Sequence, residues 1–247
     1  MDMKLIEVKG YQEMSARAAE YIAHKVRISK KITLGLATGG TPEGTYRNLI
    51  EDHRQNYTSY RHVTTFNLDE YVGLAGDHLN SYRYFMNKKL FDHIDIQKSN
   101  TYVPRGHVLD IEQECLDYEK LLIDHGGIDM QLLGIGSNGH IGFNEPGTPF
   151  DSETHVVELT PSTREANARY FSSLEQVPTK AISMGIATIL KAKEILLLVS
   201  GENKSEALAQ LLEGEITEKN PASVLKIHPF VTVIADHAAL SASKVRC

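Results

Sequence analysis

Five short apolar runs punctuate the chain: ITLGLA (32–37), HVTTFNL (62–68), IDMQLLGIG (128–136), EILLLVS (194–200) and FVTVIAD (230–236). Continuous apolar runs of this length fit parallel strands covered on both faces. Longer amphipathic stretches lie between them. Residues 11–28 carry Met14, Ala18, Tyr21 and Ile22 on one stripe, and residues 110–124 carry Ile111, Cys115, Tyr118 and Leu122. TKAISMGIATILKAK (179–193) and KSEALAQLLEG (204–214) also read as helices, the second stopped by Gly214. Strand alternating with helix predicts a Rossmann-like, doubly wound α/β fold: a mainly parallel sheet with helices on both faces. The first strand is expected at residue 32, after a single helix. No repeat or low-complexity linker divides the chain, so one domain over 1–247 is expected, with a small lid segment at roughly 155–185, polar at its start.

In such sheets ligands bind beyond the carboxyl ends of the strands. Three strands end in unusual loops. The first is TGGTPEGTY (38–46). Its glycines permit close backbone approach to a ligand, Pro42 suits a first helical turn, and Thr41 is the expected N-cap. Backbone N–H groups at a helix start bind anions, so Thr38, Gly39, Gly40 and Thr41 form a candidate phosphate loop. The alternative is a tight strand-to-helix turn with no ligand. Neither a GxGxxG fingerprint nor a Gly-Lys-Ser/Thr ending is present.

The second loop, FNLDEYVGL (66–74), brings Asp69 and Glu70 to the end of a strand. A carboxylate there could act as a general base if partly desolvated, with Tyr71 and Val72 as the apolar wall. Alternatively, one acid caps the following segment and the other faces solvent. The third loop, LLGIGSNGHIGFNEPG (132–147), holds five glycines, His140 and Glu145. Glycine costs folding entropy, so this density implies a crowded backbone. Pro146 restricts Glu145, and a restrained carboxylate near an imidazole can orient it and set its tautomer. No third ligand stands at a recognisable zinc spacing, so no metal is expected.

Composition narrows the partners. A net charge of −6 over 247 residues, without a basic stripe, argues against nucleic acid and requires that any anionic ligand find a locally positive pocket. Two cysteines, Cys115 and the terminal Cys247, make no disulfide framework. No run reaches membrane-spanning length and no signal peptide is visible, so the expected location is the cytoplasm.

TGGTP, FNLDEYVGL and GIGSNGHIGFNEPG together, with STREANARYF (162–171) and SGENKSEAL (200–208), resemble the signature segments of the glucosamine-6-phosphate deaminase (isomerase) family over roughly residues 1–240. The resemblance implies conversion of D-glucosamine 6-phosphate and water to D-fructose 6-phosphate and ammonia, in amino-sugar catabolism and without cofactor. It implies a catalytic set of Asp69, Asn138, His140 and Glu145. His140 would shuttle the ring-opening proton, Glu145 and Asn138 would hold it, and Asp69 would remove the C2 proton. It implies that the substrate phosphate rests on Thr38–Thr41 with Arg169 and Lys204. Without it, both cations read as solvated surface charges.

Two departures refine the expectation. Enteric members carry aspartate where this chain has Asn138, which places it with the shorter, Gram-positive-like branch and leaves Glu145 as the main carboxylate partner of His140. The larger members are hexamers activated by N-acetylglucosamine 6-phosphate through a serine, an arginine and a lysine. The matching positions here are Thr148, His155 and Val157. Absence of that activation and a monomer or small homo-oligomer are therefore expected. The rival readings are a 6-phosphogluconolactonase, which shares the phosphate loop, and a non-catalytic sugar-phosphate sensor. A sensor usually carries an added DNA-binding module, for which a single leading helix leaves no room.

Overall fold

The computed structural model describes residues 3–168 and 171–245. Its core is a seven-stranded, wholly parallel sheet made of β1 (Lys4–Val8), β2 (Ile32–Leu36), β3 (Val63–Asn67), β5 (Thr101–Tyr102), β6 (Met130–Gly134), β9 (Ile195–Val199) and β10 (Val231–Asp236). The spatial order is β1-β10-β9-β6-β2-β3-β5. The five apolar runs are the five inner strands, β10, β9, β6, β2 and β3.

Side-chain alternation explains why these strands need cover on both faces. In β9, Leu196 and Leu198 pack with Met14, Ala18 and Ile22 of α1 (Tyr11–Ile28) and Tyr46 and Leu49 of α2 (Gly40–Asn56). Ile195, Leu197 and Val199 face the other way, onto Tyr118 and Leu122 of α4 (Ile111–Asp124) and Leu208 and Leu211 of α7 (Ser205–Glu213). Each fully buried aliphatic side chain contributes roughly 1.5–3 kcal/mol. Asp110 caps α4 by accepting the Gln113 N–H at 2.9 Å, and α7 stops at Gly214. Cys115 is buried on α4, whereas Cys247 lies outside the described residues.

Two expectations are corrected. The first strand is β1, before α1, where only an edge strand with one buried residue, Val8, pairs with β10. Such a short, half-exposed strand leaves little apolar signal. Residues 179–193 are not one helix. They form β8 (Lys180–Ser183) followed by the five-residue α6 (Ile186–Leu190). β8 sits between β4 (Asp69–Tyr71) and β7 (His155–Glu158), antiparallel to both, in a second, three-stranded sheet. Strand pairing on both sides outweighs the helix-like spacing of Ile182, Ile186 and Ile189. The expected lid range also holds the short helix α5 (Pro161–Asn167).

This second sheet positions chemistry. Only Leu68 separates β3 from β4, so the chain passes directly from the large sheet into the small one, carrying Asp69 over the carboxyl end. β2 leads outward to β3 and β5, while β6, β9 and β10 lie on its other side. The crevice between β2 and β6 is therefore the switch point at which an open α/β sheet offers a binding site. No described helix is long and apolar enough to cross a membrane.

Candidate active site

The loops after β2, β3 and β6 converge on one cavity of about 300 Å³. Thr38, Gly39, Gly40, Thr41, Asp69, Asn138, His140 and Lys204 all line it. Glu145 stands behind His140 and does not line it. Arg169 lies outside the described residues.

The first loop is a helix start, but with a different cap from the one expected. Gly39 at φ +88° is the N-cap of α2, and Thr41 lies inside the first turn. This left-handed value suits glycine, and it lets the chain turn from β2 directly into the helix with the leading N–H groups toward the cavity. Tyr11 pins that turn: its hydroxyl donates to the Gly40 carbonyl and accepts the Gly44 N–H, both at 2.8 Å. The N-terminal end of a 17-residue helix carries positive potential. Lys204, which directly precedes α7, adds a full charge at the same cavity.

On the facing wall, the two adjacent carboxylates divide their roles. Glu70 accepts backbone N–H groups from Tyr71 and Tyr82 at 2.9 Å and from Arg83 at 3.0 Å, holding the start of α3 (Tyr82–Met86). Burial raises its pKa to about 7, and those N–H groups and Arg83 limit the rise. Asp69 points the other way, as neighbours on a strand do. It is buried, and its Oδ1 takes no hydrogen bond from the described residues. Burial first, and then the Glu70 charge, push its pKa up to about 8. The apolar wall around it is Leu68, Tyr82 and Phe143. Tyr71 stands one layer behind, its hydroxyl at 3.2 Å from that of Tyr82, and Val72 ties its backbone to Lys180.

The third loop is as crowded as its glycines imply. A Cβ on Gly136 would fall 2.3–2.5 Å from three atoms of the His140 ring, so the imidazole occupies space that any other residue would fill. The turn is closed by Gly136 N–H on the His140 carbonyl at 2.8 Å. Asn138 accepts the His140 N–H at 3.2 Å through Oδ1 and donates through Nδ2 to Glu145 Oε2 at 2.6 Å. Glu145 Oε1 lies 3.6 Å from His140 Nδ1, at ion-pair rather than hydrogen-bond range, and accepts the Thr163 hydroxyl at 2.5 Å. Burial alone would raise the Glu145 pKa; His140, Thr163 and Asn138 outweigh it and hold it at about 2. The carboxylate is thus a fixed anion over the working pH range.

The cavity also includes Tyr82, Phe143 and Thr163, which the sequence did not single out by residue. Thr163 falls within STREANARYF and carried the signal of that segment. Phe143 likewise falls within GIGSNGHIGFNEPG, whereas Tyr82 lay in no such segment, because an aromatic residue reads first as core. Among the described residues, no group of three His, Cys, Asp or Glu side chains could hold a metal.

The family model for glucosamine-6-phosphate isomerases/6-phosphogluconolactonase matches residues 9–234. The chain is 61% identical over 239 residues to the glucosamine-6-phosphate deaminase of Shouchella clausii (strain KSM-K16), covering 97% of each. It is 54% identical over 239 residues to glucosamine-6-phosphate deaminase 1 of Bacillus subtilis (strain 168), covering 97% of this chain and 99% of that one. A solved monomeric glucosamine-6-phosphate deaminase superposes with a TM-score of 0.96 at 53% identity, covering 97% of this chain and 100% of that one. The 6-phosphogluconolactonase of Trypanosoma cruzi superposes with a TM-score of 0.79 at 21% identity, covering 100% and 99%, a likeness of fold alone.

Proposed function

The chain belongs to the family of glucosamine-6-phosphate isomerases and 6-phosphogluconolactonases, and within it we propose a glucosamine-6-phosphate deaminase that converts D-glucosamine 6-phosphate and water to D-fructose 6-phosphate and ammonia. One observation carries the mechanism. A buried carboxylate, Asp69, and a histidine–carboxylate pair, His140 and Glu145, serve one cavity beside a helix N-terminus. That arrangement gives two separate proton-transfer groups and an anion seat.

The substrate phosphate rests on the leading N–H groups of α2 and on Lys204, with Arg169 as the third partner. His140 accepts the O1 proton and returns one to O5, which opens the pyranose to the aldehyde. Fixed, anionic Glu145 stabilises the imidazolium that forms in between. Asp69 then takes the proton from C2, now acidified by the neighbouring carbonyl. Its raised pKa makes it a stronger base than an ordinary aspartate while keeping a useful ionised fraction near neutrality. The resulting enolamine is protonated at C1, and the C2 imine adds water and expels ammonia. No step moves electrons to or from an external acceptor.

Segment 155–185 serves as the cover of this cavity within a single domain, since Thr163 and Asn167 of α5 line it. At the positions matched to an effector site, Thr148 gives its hydroxyl to the Glu145 carbonyl, His155 engages the Glu153 carbonyl, and Val157 packs in the apolar cluster around Tyr71. These side chains are engaged within the fold, which supports unactivated, hyperbolic kinetics; the likeness to a monomeric deaminase supports a monomer or small homo-oligomer, and the cytoplasm is the proposed location. The test is an ammonia-coupled assay on glucosamine 6-phosphate, with and without N-acetylglucosamine 6-phosphate, beside hydrolysis of 6-phosphogluconolactone. Ammonia release at a hyperbolic rate, with the lactone untouched, is the expected result. Lactone hydrolysis without ammonia release would reverse the assignment.

A further inference from the structure

The structure carries a hydroxyl relay from α5 to the carboxylate behind His140. The Thr160 hydroxyl donates to Thr163 Oγ1 at 3.0 Å, and the Thr163 hydroxyl donates to Glu145 Oε1 at 2.5 Å. Capping of α5 does not require the second hydroxyl. The cap is Thr160, whose Oγ1 accepts the Thr163 backbone N–H at 3.3 Å. Thr163 is buried, 9% exposed as a residue, and because its oxygen already accepts from Thr160, its own proton is directed at Glu145.

Glu145 is then held at both oxygens: Oε2 by Asn138, from its own loop, and Oε1 by Thr163, from a different part of the chain. His140 Nδ1 is buried, has no hydrogen-bond partner among the described residues, and faces Oε1 at 3.6 Å. Remove the Thr163 hydroxyl and one oxygen of the carboxylate is free to swing. The imidazole then loses the fixed anion that orients it.

We propose that Thr163 is a positioning residue that acts through Glu145, so that α5 sets the geometry of the His140–Glu145 pair. The inference rests on the deaminase reading.

The experiment is a double-mutant cycle on the intact chain, following ammonia release from glucosamine 6-phosphate. Thr163→Val, or Thr163→Ala as a second hydroxyl-free variant, should lower kcat about tenfold while KM moves less than about twofold, the signature of one lost bond to a charged group. Thr163→Ser should recover most of the rate. In a Glu145→Gln background the Thr163→Val change should alter kcat by less than about twofold, because the residue acts through Glu145. Effects that multiply independently in the double variant, a Ser variant as slow as Val, or unchanged kcat in both hydroxyl-free variants would each overturn the proposal while leaving the deaminase reading intact. A wild-type chain that releases no ammonia would overturn both.

Discussion

Gly136 offers a direct test of the site, because the expected displacement can be read from the structure. In Gly136→Ala the new Cβ would stand 2.3 Å from His140 Cε1, 2.4 Å from Nδ1 and 2.5 Å from Nε2, against ordinary contact at 3.4 Å or more. The backbone here is fixed by the closed Gly136–His140 turn, so the ring gives way, by about 1 Å. A misplacement of that size at a reacting group can slow turnover about 10²-fold, or about 2.7 kcal/mol in the barrier. The ring is partly exposed, 29% for the side chain, and has room to rotate outward, so the fold should survive. The assay is steady-state ammonia release, with thermal melting as the control. The expected outcome is kcat reduced about 100-fold with a near-normal melting curve. A folded variant with wild-type kcat would refute the reasoning: either His140 does not occupy the position described or the ring-opening step does not depend on it.

Asp69→Asn should abolish turnover and leave binding of a substrate analogue largely intact; wild-type-like turnover would sink the mechanism. Asp69 must be ionised to act as base, so kcat/KM should rise with pH through about 8. The folded protein holds on Asp69 a proton that the unfolded chain releases at the ordinary value of 3.8. Wild-type stability therefore falls as pH rises from about 4 to about 8, and the melting advantage of Asp69→Asn should grow across that window and then level off. A gap that shrinks with rising pH would contradict the burial of this group. Glu70→Gln removes the like charge beside Asp69, so the rising limb of the pH–rate profile should move down, with about 1–3 kcal/mol lost from stability as the α3 start loses acceptors; an unmoved limb would show that the two acids are not coupled. Asn138→Asp replaces the donor to Glu145 with a second anion, which favours the imidazolium form and should shift the profile upward; an unchanged profile would mean that this position does not tune His140.

The five inner strands were legible in the sequence because a strand covered on both faces must be apolar at consecutive positions, and nothing else in a chain of ordinary composition looks like that. The small sheet was not legible for the complementary reason. β4 has three residues and β7 is half-exposed on every side chain but its exposed last, so neither leaves a run. β8 could be read only with its partners in view. Ala181, Ile182 and Ser183 are buried because β4 and β7 flank them, a tertiary fact that local spacing does not contain. The misplaced start of α2 has a similar origin. Thr41 is a better capping residue than Gly39 by preference, but the sharp exit from β2 needs φ +88° at residue 39, and backbone geometry outweighs a side-chain cap.

The same missing sheet explains what the sequence left open at Asp69 and Glu70. It posed a choice between a general base and a pair in which one acid caps the next segment and the other faces solvent; Glu70 holds the α3 backbone, while Asp69 is buried at the cavity and does not face solvent. Successive side chains on a strand point to opposite faces, so two adjacent carboxylates on β4 cannot share a role. One must face the cavity when the other faces the α3 backbone. Their adjacency also has a chemical consequence. The capping acid is held by three N–H groups and stays in place, so once ionised, above about pH 7, its charge stands beside Asp69 and adds to the burial that raises the Asp69 pKa. The structural residue thereby adds, second to burial, to the basicity of its neighbour. Replacing Glu70 should for this reason change the pH dependence of a reaction it never touches, whereas replacing any other cap of comparable strength, such as Asp110 on α4, should change stability alone.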